Sequence, residues 1–340
     1  MAAYVLLLTV VLSCSAAGAA ADGYVEAQTC GACHPKQFAV QSQSHHAGAL
    51  RPGSAANRLT YLLNGRTFAG ANYEFVKSPS DYRVIVGVGR EQTEVAIDWI
   101  VGDNDQGLTF FSKIAPDRYL EHRLSYYRRK SGYDVTAGHS RIAPRTLSAA
   151  IGVAISPREA SQCLNCHSTY VKTTAAGPDF QSVIAGVGCE RCHGPGARHV
   201  SAIKAGSRET LIRNPGKLSG EELLAMCGEC HRIEPPPGVL LDEPIVARFQ
   251  PVGLQMSACF QQSNGAITCT TCHDPHENAR RNEDSFYEAK CRNCHSGSSV
   301  AICRVNPRNG CIGCHMPKVE PVPWLVFADH WIRRPSSQRP

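Results

Sequence analysis

The amino-acid sequence predicts a mainly α chain with extensive loops and a small antiparallel β insertion, organised around something other than side-chain packing. Three observations predict this. The 340 residues include 17 Cys, 29 Gly and 21 Pro, while aromatic residues make up only 7%, a composition of turns and thiols rather than of a conventional enzyme core. Fourteen of the cysteines fall into one five-residue pattern, and a long stretch without that pattern alternates apolar and polar residues with the period of a strand. At 43% hydrophobic, the chain has enough apolar content for one large domain or two ordinary ones.

The N-terminus sets the expected compartment. Residues 3–12 (AYVLLLTVVL) have the length of a signal-peptide apolar region, and the small residues at 16–21 suit cleavage before Asp22. The segment is too short to span a bilayer, and no Lys or Arg precedes it. A competing route reads VLSC at 11–14 as a lipoprotein signal with Cys14 as the lipidated residue. Both routes place the mature protein in the periplasm or elsewhere outside the cytoplasm, with membrane association only through a lipid on Cys14. No later segment is long and apolar enough to span a membrane.

The repeated pattern is Cys-x-x-Cys-His. Cys30 and Cys33 precede His34; Cys163 and Cys166 precede His167; Cys189 and Cys192 precede His193; Cys227 and Cys230 precede His231. Cys269 and Cys272 precede His273, Cys291 and Cys294 precede His295, and Cys311 and Cys314 precede His315. At these residue frequencies chance would supply on the order of 0.03 such motifs. The spacing suits covalent haem c: two sulfurs form thioethers with the porphyrin vinyl groups, and the next residue offers its imidazole to the iron from the same side. The chain is therefore predicted to be a multihaem cytochrome with seven covalent haems. Zinc has local support in the ribbon-like spacings from Cys269 to Cys294 and from Cys291 to Cys314, but zinc needs no following histidine, and seven cysteine pairs cannot evenly fill four-cysteine sites. A disulfide framework explains neither the pair spacing nor the histidines, and a thioredoxin-like redox reading fits one motif, not seven.

The formal charge of +6 does not imply a nucleic-acid partner, because the basic residues are scattered and no run exceeds Arg128, Arg129 and Lys130. Fourteen haem propionates, if ionised, would take +6 to about −8.

Seven histidines remain as candidate sixth ligands: His45, His46, His122, His139, His199, His276 and His330. Beyond Met1, only Met226, Met256 and Met316 could substitute, and two of these abut haem motifs. Bis-histidine, low-spin iron is thus the expectation at most or all haems, which favours electron transfer over substrate binding because both axial positions are filled. His199 and His276 lie a few residues beyond His193 and His273, close to a haem. Adjacent His45 and His46, if helical, point about 100° apart and could serve two haems. His122, in a strand-like stretch between Glu121 and Arg123, is the weakest candidate and reads equally as a solvated strand histidine. An open haem site, if one exists, is expected where these weaker candidates fail.

The motifs are spread unevenly. One stands alone near the N-terminus, about 130 residues follow without another, and six lie between Cys163 and His315. Their starts are 26, 38, 42, 22 and 20 residues apart, too irregular for a stacked solenoid. In the gap, 82–88, 95–101, 108–114 and 118–127 read as strands, with Val95, Ile97, Trp99 and Val101 on one face and GDNDQG at 102–107 as a turn. This sheet is read as a cover for the first haem rather than as a catalytic element. Pro157 and Ser219 open short helices that lead into Cys163 and Cys227, and PPPG at 235–238 is a rigid linker.

These segments also carry a resemblance. CHPKQF followed by SQSHHAG, then CERCHGPGARH, CTTCHDPH, and the closing CIGCHMPKVE with FADHWIRR resemble the cytochrome c-554/c-552 group over most of residues 28–334. The resemblance implies closely packed haem pairs, bis-histidine ligation and an electron-carrier role. The wider superfamily also contains nitrite reductases and hydroxylamine oxidoreductase; none of the motifs here has Lys in place of the histidine, and nothing marks a tyrosine cross-link. The expected organisation is a signal peptide at 1–21, a first-haem segment at 22–75, a β-rich insertion at 76–135, a six-haem c-554-like region at 136–334 and a polar tail at 335–340. Cys259 and Cys303, the remaining cysteines of the mature chain, are expected to form a disulfide or to stay as buried thiols. The expected chemistry is outer-sphere electron transfer with other redox proteins as donor and acceptor. The rival is an oxidoreductase acting on a small nitrogen or sulfur compound at one open haem, and a third possibility is an electron-passing subunit of a larger complex.

Overall fold

The computed structural model describes residues 23–60, 62, 65–79, 81–296, 303–306 and 308–334. The expected signal peptide, Cys14 and the polar tail lie outside them. Two short helices, α1 (Ala27–Gly31) and α2 (Pro35–Gln41), lead into a β half. Strands β1 (Leu50–Pro52), β2 (Gly65–Phe68), β3 (Asn72–Ser78), β4 (Asp81–Val88), β5 (Glu91–Ala96) and β6 (Trp99–Gly102) come first. They are followed by β7 (Gly107–Ala115), β8 (Arg118–His122), β9 (Leu124–Tyr127), β10 (Gly132–Val135), helix α3 (Leu147–Ile151) and β11 (Gly152–Ile155).

β2 to β5 form a four-stranded antiparallel meander, and β1, β6, β7, β8 and β11 form a second sheet to which β9 and β10 attach. Alternation explains the stacking: Tyr73 and Phe75 on β3, and Tyr82, Val84 and Val86 on β4, are buried on one face. They meet Ile100, Leu108, Phe110, Leu124 and Tyr126 from the second sheet. Phe75 stacks on Tyr133 at 3.9 Å, and the Tyr82 and Tyr133 hydroxyls share a 2.7 Å hydrogen bond.

Two expected strands are broken. The 95–101 segment splits at Ile97 and Asp98, where the chain passes from one sheet to the other: Ile97 N–H donates to Tyr82 O, and Asp98 N–H to Phe111 O. Val95 and Ile97 consequently pack into the first core, while Trp99 and Val101 pack into a second one, so the four residues do not share a face. The 118–127 segment divides at Arg123 because β8 pairs with β7 and β11, whereas β9 pairs with β10 and the start of β7. Strands also begin at Leu50 and continue to Ile155, wider on both sides than the expected 76–135. Gly102 opens the turn before β7 at φ +117°, where a Cβ would collide with Gly107 O.

The rest is helical and loop-rich. It comprises α4 (Pro157–His167), α5 (Cys189–His193), α6 (Ala197–Lys204), α7 (Gly220–His231), α8 (Gln250–Met256), α9 (Ala258–Gln262), α10 (Cys269–Cys272), α11 (Asp284–His295) and α12 (Cys311–His315). Three small two-stranded sheets accompany it: β12 (Ser168–Tyr170) with β15 (Ile184–Ala185), β13 (Thr173–Thr174) with β14 (Gly177–Pro178), and β16 (Lys318–Val322) with β17 (Leu325–Ala328). The second core joins the halves, because Ala160 and Leu164 of α4 pack on Leu50, Trp99, Phe111 and Tyr119. The β half is therefore built against the helix of the second motif. The segment of the first motif approaches α5, where Glu190 accepts from the Val25 N–H at 2.9 Å.

Candidate haem-binding sites

All seven motifs include a helical turn: they close α4, α7 and α11, fall within α5 and α12, and extend past α1 and α10 through the bonds from His34 N–H to Cys30 O and from His273 N–H to Cys269 O. In such a turn residues i, i+3 and i+4 share a face, so two sulfurs and one imidazole project together from each. The predicted helix starts at Pro157 and Ser219 carry capping boxes: Ser156 accepts from Glu159 N–H, Ser219 from Glu222 N–H, and both glutamates reach back.

All fourteen histidines lie within the described residues. Four motif imidazoles face a second imidazole from a distant segment. His34 and His199 have ring centroids 6.4 Å apart with planes at 25°, and His193 and His276 are 6.3 Å apart at 17°. His231 and His46 are 6.1 Å apart at 70°, and His273 and His330 are 6.3 Å apart at 35°. Two imidazoles bound to opposite sides of one metal, with bonds of about 2 Å and about 1.1 Å from nitrogen to ring centre, would have centroids about 6.2 Å apart. The four gaps have that width.

The other ring nitrogens match. Nδ1 meets an oxygen in His46 (Pro275 O, 3.4 Å), His193 (Arg213 O, 3.1 Å), His199 (Thr210 O, 2.5 Å) and His231 (Gln250 Oε1, 3.3 Å). It does so as well in His276 (Asp274 Oδ1, 2.9 Å), His330 (Ala328 O, 2.9 Å), His167 (Ala49 O, 3.2 Å) and His315 (Arg333 O, 2.8 Å). Such anchoring orients a ligating ring and leaves Nε2 for the metal. Burial also pushes the imidazoles of His46, His167, His193 and His330 below their ordinary value, and that of His273 down to about 4. They are neutral at physiological pH, the form that binds metal.

The remaining candidates use Nε2 within the protein. His45 Nε2 lies 3.2 Å from Asp105 Oδ2, His139 Nε2 is 2.9 Å from Glu121 Oε2, and His122 Nε2 is 2.7 Å from Ser112 Oγ. His122 is 3% exposed, so the solvated alternative to its ligand role does not hold: β8 is paired on both sides and the residue is buried in the sheet. His45 and His46 sit in a turn after α2, not in a helix. His199 and His276 face His34 and His193, not the motifs they follow in sequence. No ring pair among the described residues sets a second histidine opposite His167 or His315.

Neighbouring motifs touch. Cys166 Sγ of the second motif donates to Glu229 O of the fourth at 3.8 Å, and Arg191 of the third motif donates to Glu229 Oε2 at 3.2 Å and to Cys230 Sγ at 3.9 Å, so the second, third and fourth motifs adjoin. Cys259 and Cys303 are not bonded to each other, and Cys303 is exposed. The paired sulfurs, the imidazole gaps and the neutral rings fit haem c, which supplies reversible one-electron chemistry when bound.

Comparison with known proteins agrees. The family model described as cytochrome c554 and c-prime matches residues 131–194. The multiheme cytochrome MtrA of Shewanella baltica (strain OS185) is 27% identical over 192 residues, 50% of this chain and 56% of that protein. The chain thus spans about half the length of that curated relative. The crystal structure of the outer cell wall cytochrome OcwA superposes with a TM-score of 0.54 over 92% of this chain and 80% of that one, at 15% identity, which shows a shared fold. Fold and motifs together define a multihaem c-type cytochrome. Among the described residues, no helix is long and apolar enough to cross a membrane.

Proposed function

We propose that this protein is an exported electron carrier holding seven covalent haems, four of them with two histidine ligands. The axial pairs are His34 with His199, His193 with His276, His231 with His46, and His273 with His330. The four imidazole gaps of 6.1 to 6.4 Å carry this reading. The remaining ligands are His167, His295 and His315, and the cysteine pairs of all seven motifs form the thioethers. With both axial positions filled, the chain's task at those four sites is to hold the iron low-spin and to keep substrate out. The contacts of Cys166 and Arg191 with the fourth motif support short hops among the second, third and fourth haems. Electrons would come from and pass to other redox proteins outside the cytoplasm, with Cys14 lipidation as the route to a membrane. The relatives' names, a multiheme cytochrome and an outer cell wall cytochrome, suit that setting.

Electron paramagnetic resonance of the oxidised holoprotein, with carbon monoxide titration of the reduced form, tests the reading. At least four low-spin ferric centres per chain are expected, and fewer would sink it.

A second reading has its own observation. His167 is anchored through Nδ1 on Ala49 O with no histidine opposite, and the Nε2 atoms of His45, His122 and His139 are engaged elsewhere. An oxidoreductase acting on a small nitrogen or sulfur compound at the second haem would need such an open position. In the same titration it requires carbon monoxide uptake by the reduced protein, and a protein that takes up none would exclude it.

A further inference from the structure

His330 can face His273 only if the segment after β17 is held in place, and two anchors flank it. On the helical side, Ser257 Oγ donates to His330 O at 3.0 Å and accepts from Ile332 N–H at 2.9 Å. Gly253 lets the two segments approach, since a Cβ there would lie 2.7 Å from Trp331 N. On the other side the β16–β17 hairpin leans on the β half. The Gln106 amide clamps the backbone of Val326 in both directions, donating from Nε2 to Val326 O at 2.5 Å and accepting from Val326 N–H at 3.3 Å. At the hairpin turn Trp324 adopts φ +72°, a conformation costly for a bulky L residue. Its indole N–H donates to Asp134 Oδ2 at 2.7 Å, with Lys130 over the ring at 4.8 Å. Val326 is two residues from Ala328, whose carbonyl orients the His330 ring through Nδ1.

We propose that Gln106 and Asp134 of the β half are positioning residues for the distal imidazole of the fifth haem, acting through Val326 and Trp324 on His330. The β half is thus a jig for an axial ligand of a haem whose motif lies far along the chain. The proposal rests on the assignment of His273 and His330 to one iron. Asp134 suits an anchoring role, because it also accepts from Lys130 Nζ at 3.0 Å and from Arg141 Nη2 at 2.9 Å, so the carboxylate is fixed before the indole reaches it. Loss of the clamp frees the hairpin to swing, and a ligand displaced by about 1 Å no longer bonds well.

The test uses full-length holoprotein carrying Gln106→Leu, a near-isosteric change that deletes the clamp, with Trp324→Phe, which keeps an aromatic ring and deletes the indole bond. His330→Ala sets the ceiling, and Arg66→Ala, which breaks an exposed ion pair with Glu74 on the first sheet, is the control. Haem content is measured by pyridine haemochrome, spin state by electron paramagnetic resonance, and ligand access by carbon monoxide uptake of the reduced protein. His330→Ala should convert one low-spin iron per chain and raise carbon monoxide uptake by one equivalent. The double variant should convert part of that same signal at unchanged haem content, and Arg66→Ala none of it. Gln106→Glu and Trp324→Phe alone should give smaller shifts of the same kind, and they decide the matter if the double variant does not mature. A silent His330→Ala would overturn the axial assignment. An active His330→Ala with silent Gln106 and Trp324 variants would overturn the positioning role while leaving the ligation intact.

Discussion

His46 and His231 present their imidazoles to each other across 6.1 Å, while His45, one residue away, turns its Nε2 to Asp105. Adjacent histidines in one turn therefore have opposite roles. His46→Ala should cost one low-spin haem per chain, and His45→Ala none. Low-spin intensity in frozen oxidised holoprotein measures both, and equal losses would mean the pair is misassigned.

His139 contacts Glu121 at 2.9 Å and faces no motif imidazole. Replacing it with alanine should leave every low-spin signal and the haem stoichiometry unchanged. A new carbon monoxide-binding haem in that variant would instead make His139 a sixth ligand.

Leu164 is fully buried between α4 and the sheet. Leu164→Ala should destabilise the protein by about 2–5 kcal/mol, the range for a buried leucine cut back to alanine. Urea unfolding followed by tryptophan fluorescence and Soret absorbance reads this, and both probes should shift because the helix also carries the second motif. A shift in fluorescence alone would mean that the halves unfold separately.

His122 lies inside the β half, where burial, with a contribution from His139, pushes its imidazole down to about 3. An unfolded histidine titrates near 6.5. Between those values the unfolded chain binds a proton that the folded one refuses, so stability falls as the pH drops from about 6.5 toward 3 and is unaffected above that window. By pH 5 the loss should be on the order of 2 kcal/mol. His122→Gln retains a partner for Ser112 without titrating, so the stability gap between wild type and variant should narrow or reverse between pH 7 and pH 5. A constant gap would show that His122 is not held neutral.

The legible part of this protein was its local chemistry. A motif of five residues needs only one helical turn to bring Cys163, Cys166 and His167 onto one face, and the helix starts at Pro157 and Ser219 were legible too, with the structure adding a Ser–Glu capping box to each. The β segments were visible as alternation, but their ends were not. The break at Ile97 and Asp98 comes from passage between sheets, and no residue there signals it. Gln106 and Trp324 carried no recognisable pattern, since a side-chain amide clamped on a distant backbone leaves no periodic trace.

The sequence by itself determined that cysteine pairs and histidines are built to hold haem, because attachment depends on neighbours three and four residues apart. Only the tertiary structure decided which histidine stands opposite which: His199 faces His34, His276 faces His193, and His122 lies in the sheet core. Each ring pair is a contact between segments far apart in the chain, which no local spacing encodes.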